Sequence, residues 1–122
     1  MRWLLHGNLA PAVAEAMRRH KQEVRTPAEL ELPQDALPAD VFEAARKRQM
    51  EVLTADVRLA QAPFESRLRF GRTMVFLNVE EGDVEQDDAV DRLFTRYKRL
   101  SPGRLYTVTA SRVKIRQLPG RN

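Results

Sequence analysis

The 122-residue sequence predicts a three-layer α/β domain with a mostly parallel central sheet and a C-terminal β-hairpin. Three observations carry this expectation. Short apolar runs, "RWLL", "EVLTA" and "TMVFLNV", alternate with segments whose apolar residues recur every three to four positions. Turn-forming residues separate them, as in Gly7-Asn8 and Ser101-Pro102-Gly103. After the last helical segment, "RLYTVT" and "RVKIRQL" stand two residues apart, the spacing of a hairpin. With 43% apolar and 31% charged residues the chain has the balance of a folded globular protein, and its length suits one domain over 1–122.

Each element has a local reason. Arg2–His6 is the first strand. Asn8 is the expected N-cap of the first helix, Pro11 sits in the tolerated first turn, and Leu9, Ala12, Val13, Ala16 and Met17 make an apolar stripe. Glu23–Thr26 is a short second strand, and residues 27–38, with three prolines, form a loop. A helix over about 39–49 ends in the basic run Arg46-Lys47-Arg48, which suits the negative end of its dipole. Glu51–Ala55 is the third strand, with Asp56 just past its end. Residues 57–72 read as two short helical turns broken at Pro63. Thr73–Val79 is the clearest buried strand. "EEGDVEQDDAVD" then packs seven acids into twelve residues ahead of a helix with Val90, Leu93, Phe94, Tyr97 and Leu100 on its apolar side. Acids before a helix and Arg96, Lys98 and Arg99 at its end match the dipole, so the acidic cluster reads as helix-start chemistry. In the hairpin, Arg112, Lys114 and Arg116 share one face and Val113 and Ile115 the other.

Composition narrows the function. Without cysteine there are no disulfides and no thiolate metal sites. No apolar run approaches the length that spans a bilayer, and a cytoplasmic protein without membrane attachment is expected. All 17 acids lie at or before Asp91, so residues 1–91 carry −5 and residues 92–122 carry +9. That split points to an anionic partner, RNA first, with Arg112, Lys114 and Arg116 as its contacts. The same bases also suit the guarding of an exposed edge strand.

A parallel sheet binds ligands at the C-terminal ends of its strands. His6, Asn8 and Asp56, distant in sequence, are expected to meet at that edge. Asp40 and Glu43, about one helical turn apart, are expected to face the same crevice. Phosphate-cradling glycine loops and Ser-His-Asp or Cys-His constellations are missing from the sequence.

"MRWLLHGNLAPAVAEAMRRHKQEVRT", followed by "VFEAARKRQMEVLTAD", resembles a PIN-like domain, the metal-dependent ribonuclease fold that includes bacterial toxin nucleases. Leu4-Leu5, Gly7-Asn8-Leu9, Val41–Ala45 and Leu53-Thr54-x-Asp56 carry the likeness, and "GRLYTVTASRVKIRQLP" resembles the family's closing hairpin. The resemblance implies RNA cleavage by Mg²⁺ or Mn²⁺ held in a carboxylate cluster. It also implies a protein partner of antitoxin kind and a homodimer. The chain departs from the pattern at four positions. His6 stands for the first-strand aspartate, Ala55 for an arginine, Arg58 for a second acid, and Pro38 for an acid opening the second helix. Mg²⁺ prefers hard oxygen ligands, and an imidazole replaces a carboxylate poorly. Two expectations follow. One is a ribonuclease with a rebuilt, weak metal site, Asp56 and Asp40 as ligands and Glu43 and His6 assisting. The other is a catalytically inactive binding or regulatory module that keeps the basic surface.

Overall fold

A computed structural model describes residues 1–119. Six strands form one sheet: β1 (Arg2–His6), β2 (Glu23–Arg25), β3 (Glu51–Thr54), β4 (Met74–Leu77), β5 (Arg104–Val108) and β6 (Val113–Gln117). Their order is β2-β1-β3-β4-β5-β6. The first five run parallel, and β6 returns antiparallel along β5 as the expected hairpin. The architecture is thus the predicted α/β class.

Helices α1 (Pro11–Arg19) and α4 (Asp83–Arg96) cover one face, and α2 (Pro38–Lys47) and α3 (Val57–Glu65) the other. Strand alternation feeds the two cores. Trp3 and Leu5 pack with Val13, Met17, Val90 and Leu93, whereas Leu4 and Val52 pack with Val41, Phe42 and Leu59. β3 and β4 are buried at every position, as central strands covered on both faces must be. Trp3 is fully buried, meets Phe94 edge-on at 6.4 Å, and donates its indole N–H to Gln22 Oε1 at 2.8 Å. Beside it, the His20 ring stacks on Phe94, and His20 Nε2 lies 2.7 Å from Asp91 Oδ1, joining the end of α1 to α4.

Three expectations need correction. The N-cap of α1 is Ala10, not Asn8. The work of a capping side chain passes to buried Gln86 of α4: Oε1 accepts from the Ala10 N–H at 2.6 Å and Nε2 donates to the Asn8 carbonyl at 3.1 Å. Residues 57–65 form one helix that runs through Pro63 rather than two turns broken there. Pro63 cannot donate to the Leu59 carbonyl, but the helix runs only to Glu65, and the Ser66 N–H still reaches the Ala62 carbonyl at 2.8 Å. Finally, α4 stops at Arg96 rather than near Leu100. Tyr97 turns extended, its ring packing edge-on at 5.6 Å against Tyr106, and the chain reverses into β5. Among the described residues no helix is long and apolar enough to cross a membrane.

Because Gln86 satisfies two backbone groups at the entry to α1, Gln86→Leu should cost roughly 1–3 kcal/mol of stability in denaturant unfolding. A variant as stable as the parent would show that water replaces both bonds without loss.

Candidate functional site

Strand order reverses between β1 and β3. The chain leaving β1 passes through α1 on one face to β2, and the chain leaving β3 passes through α3 on the other face to β4. The divergence opens a crevice of about 860 Å³ at the strand ends, where a doubly wound sheet binds its ligands. Gly7, Asn8 and Ala55–Arg58 line its base, parts of the 26–36 segment form an outer wall, and Val79, Glu81 and Gln86 close the far side.

The three strand-end residues meet here as expected: His6, Asn8 and Asp56 all line the crevice. Asp40 and Glu43 do not. Both are exposed on α2, whose inward side is taken by Val41, Phe42 and Ala45, and Glu43 pairs with Arg46 at 2.5 Å. The helix turns its apolar residues to the sheet, which sends these two carboxylates outward.

The residue that sequence reasoning missed is Thr54. It is fully buried, and its hydroxyl oxygen lies 2.9 Å from His6 Nδ1 and 2.9 Å from the Asp56 backbone nitrogen. The Asp56 N–H can only donate. Among the described residues the acceptor left for the hydroxyl proton is therefore Nδ1 of His6. This arrangement favours the neutral tautomer with hydrogen on Nε2. His6 thereby offers the crevice a donor, not a lone pair. Protonating the ring would set Nδ1–H against the hydroxyl and strand the buried Thr54 proton. Burial lowers the pKa of His6 from its ordinary 6.5; the Asp56 charge opposes this and the Arg58 charge adds to it. The sequence signals for Thr54 were a polar residue at the C-terminal end of "EVLT" and its place in Leu53-Thr54-x-Asp56.

Asp56 is the N-cap of α3. Its Oδ1 accepts from the Arg58 N–H at 2.9 Å, and the Arg58 guanidinium lies 3.4 Å from Oδ2. Burial pushes the Asp56 carboxyl up, but the Arg58 backbone bond, guanidinium and charge together hold it below the ordinary value. Arg58, standing where the resembled family has an acid, thus occupies this carboxylate. Asn8 Nδ2 reaches Glu81 Oε1 at 3.5 Å on the rim. Two carboxylates, Asp56 capping α3 beside Arg58 and Glu81 on the rim, together with one imidazole are a poor fit to Mg²⁺ or Mn²⁺, which need several free oxygen ligands.

The hairpin bases lie apart from this crevice. Lys114 and Arg116 share a face of β6, Arg116 resting 3.7 Å over the Phe64 ring, and Arg112 sits in the turn before the strand. Ile115, on the other face of this edge strand, is 41% exposed. Fold and crevice define the class: a doubly wound α/β protein with a crevice at its switch point. No protein-family model, curated protein or solved structure matches the chain.

Two measurements check the histidine. Long-range ¹H–¹⁵N spectra should show an unprotonated Nδ1 and a protonated Nε2 on His6 at neutral pH, and Thr54→Val should raise its pKa by removing the bond that favours the neutral ring. Stability follows the same sign. Below pH 6.5 the unfolded chain takes up a proton that native His6 refuses, so this contribution falls as pH drops and levels off once native His6 titrates. The stability difference between parent and His6→Gln should therefore change over that window; a pH-independent difference would contradict the assignment.

Proposed function

We propose that the chain is an RNA-associated domain of PIN-like kind, related to the metal-dependent ribonucleases, that binds RNA without a competent divalent-metal cleavage centre. The observation that carries this reading is the commitment of the strand-end groups. Asp56 is held by α3 and Arg58, His6 is held as a hydrogen-bond donor, and Asp40 and Glu43 face outward. The overall positive charge and the high share of arginine support a polyanionic partner.

A second reading is favoured by the edge strand. Among the described residues β6 has no partner on one side and carries an exposed Ile115, which suits a protein partner, of antitoxin kind, adding a strand there. A homodimer through the same edge is opposed by charge. Antiparallel registers centred on Lys114, Ile115 or Arg116 all set a base opposite a base.

Melting in the presence of Mg²⁺ or Mn²⁺ separates binding from catalysis. A specific site filled at ten times its Kd would add about 1.4 kcal/mol. Here Tm is expected to stay nearly constant at millimolar metal, and RNA incubated with the protein and either metal is expected to stay intact. A clear rise in Tm, or metal-dependent cleavage, that Asp56→Asn abolishes would restore the ribonuclease reading.

A further inference from the structure

The fold redistributes the charge that the sequence splits end to end. Because β1–β5 are parallel, every segment leading into one of these five strands lies at the N-terminal edge of the sheet, opposite the crevice. The segments leading into β2, β3, β4 and β5 are residues 18–22, 46–50, 64–73 and 96–103. Each holds three basic residues, twelve in all, against one acid, Glu65. Arg2 and Arg104 open β1 and β5 at the same edge. Of the acids opening β2 and β3, Glu51 is buried and paired with Arg72 at 2.7 Å. At the opposite edge the loops leaving the strands, 7–10, 26–37, 55–56, 78–82 and 109–112, carry six acids and one base, Arg112.

Helix dipoles account for part of this, since they favour bases in a last turn. They do not reach the bases beyond the helices, such as Arg67, Arg69, Lys98 and Arg99. Backbone preference opposes two of the positions outright. Lys21 and Arg67 have φ of 65° and 55° just after α1 and α3, where glycine is usual. Of the twelve bases, Arg19, Arg46 and Arg72 form ion pairs; the other nine are exposed and form none with a described residue.

We infer that the N-terminal edge of the sheet is the surface on which the phosphate backbone of RNA docks, on the face of the molecule opposite the crevice. The inference rests on the RNA-association reading and adds the place of contact. Five parallel strands make this edge about 19 Å wide. Nine of the twelve bases are arginine, whose planar fork matches phosphate oxygens. A membrane surface would call for exposed apolar anchors among the bases, and Met1 is the one large apolar residue exposed at this edge among those described. The acidic loops at the crevice mouth repel phosphates, so the strand-end cleft is not the backbone's track. Contacts to phosphate position RNA with little sequence preference.

The test compares two variants with the unmodified protein by binding of fluorescent oligouridylate over roughly 50 to 200 mM salt. Arg67→Gln, Arg69→Gln, Lys98→Gln and Arg99→Gln together should flatten the slope of log affinity against log salt by about three units, at roughly 0.7 to 0.9 per phosphate. Arg112→Gln, Lys114→Gln and Arg116→Gln together should leave it nearly unchanged. Independently of any variant, oligouridylate should shift the amide resonances of 18–22, 46–50, 64–73 and 96–103 in the native protein. A flattened slope in the hairpin variant alone, or shifts confined to the hairpin or crevice, overturns the assigned surface while RNA association stands. No RNA binding by the unmodified protein at the lowest salt overturns both. Tighter binding to phosphatidylserine-containing vesicles than to oligouridylate overturns the surface in favour of a lipid partner.

Discussion

The parallel pairing of β1 with β3 is the constraint on which the rest of the molecule depends. Its register sets Trp3 beside Glu51, Leu5 beside Leu53 and His6 beside Thr54. The two strands then send their helices to opposite faces, so the chain ends separate and leave the crevice. Gly7 makes the close exit of β1 from the pair possible. Its φ is 90°, and a Cβ there would lie 3.2 Å from the Asp56 nitrogen and 3.3 Å from that of Ala55. A side chain would force apart the turns that hold His6 and Asp56 around one threonine hydroxyl.

That arrangement gives the crevice a chemistry unlike a carboxylate cluster. A buried hydroxyl can give its proton once, and Nδ1 is the acceptor within reach, which favours an imidazole that faces the cleft as a neutral donor. Asp56 gives Oδ1 to the first turn of α3 and pairs loosely with the exposed Arg58 guanidinium. The crevice therefore combines an imidazole, a carboxylate paired with exposed Arg58, the Asn8 amide and the rim carboxylate of Glu81 within partly apolar walls. Such a lining suits hydrogen bonding to a polar, uncharged group better than it suits holding a divalent cation or a bare phosphate.

The same parallel topology polarises the molecule. All four helices run back against the strands, so their positive ends share the crevice edge and their negative ends share the other. Acids such as Asp83 and Glu85 in the first turn of α4, and bases in the last turns of α1, α2 and α4, complement those dipoles. The excess of bases in the links extends the polarity beyond what helix stability asks for. At that edge the Glu51 carboxylate is withdrawn from solvent. It accepts from Arg72 and from the Thr73 N–H at 2.9 Å, joining the start of β3 to the start of β4.

The sequence by itself determined the elements and their class. Short apolar runs and helical stripes depend on neighbouring residues, so six strands, three helices and the closing hairpin could be placed from local pattern; α3 was expected as two turns broken at Pro63, and other errors came where a distant partner intervenes. Gln86, 78 positions from Asn8, took over the entry to α1, and packing against Tyr106 ended α4 early. Of the candidate site, His6, Asn8 and Asp56 were readable because each ends or follows a parallel strand. Thr54 was not, because its role exists only once β3 lies beside β1. Asp40 and Glu43 were misplaced because helical spacing says which residues share a face but not which way that face turns. The charge shows the division most plainly. Along the chain it divides near Asp91, a boundary with no counterpart in space. The basic edge comes from four links drawn together by parallel strands, and only the tertiary structure decided that they would be neighbours.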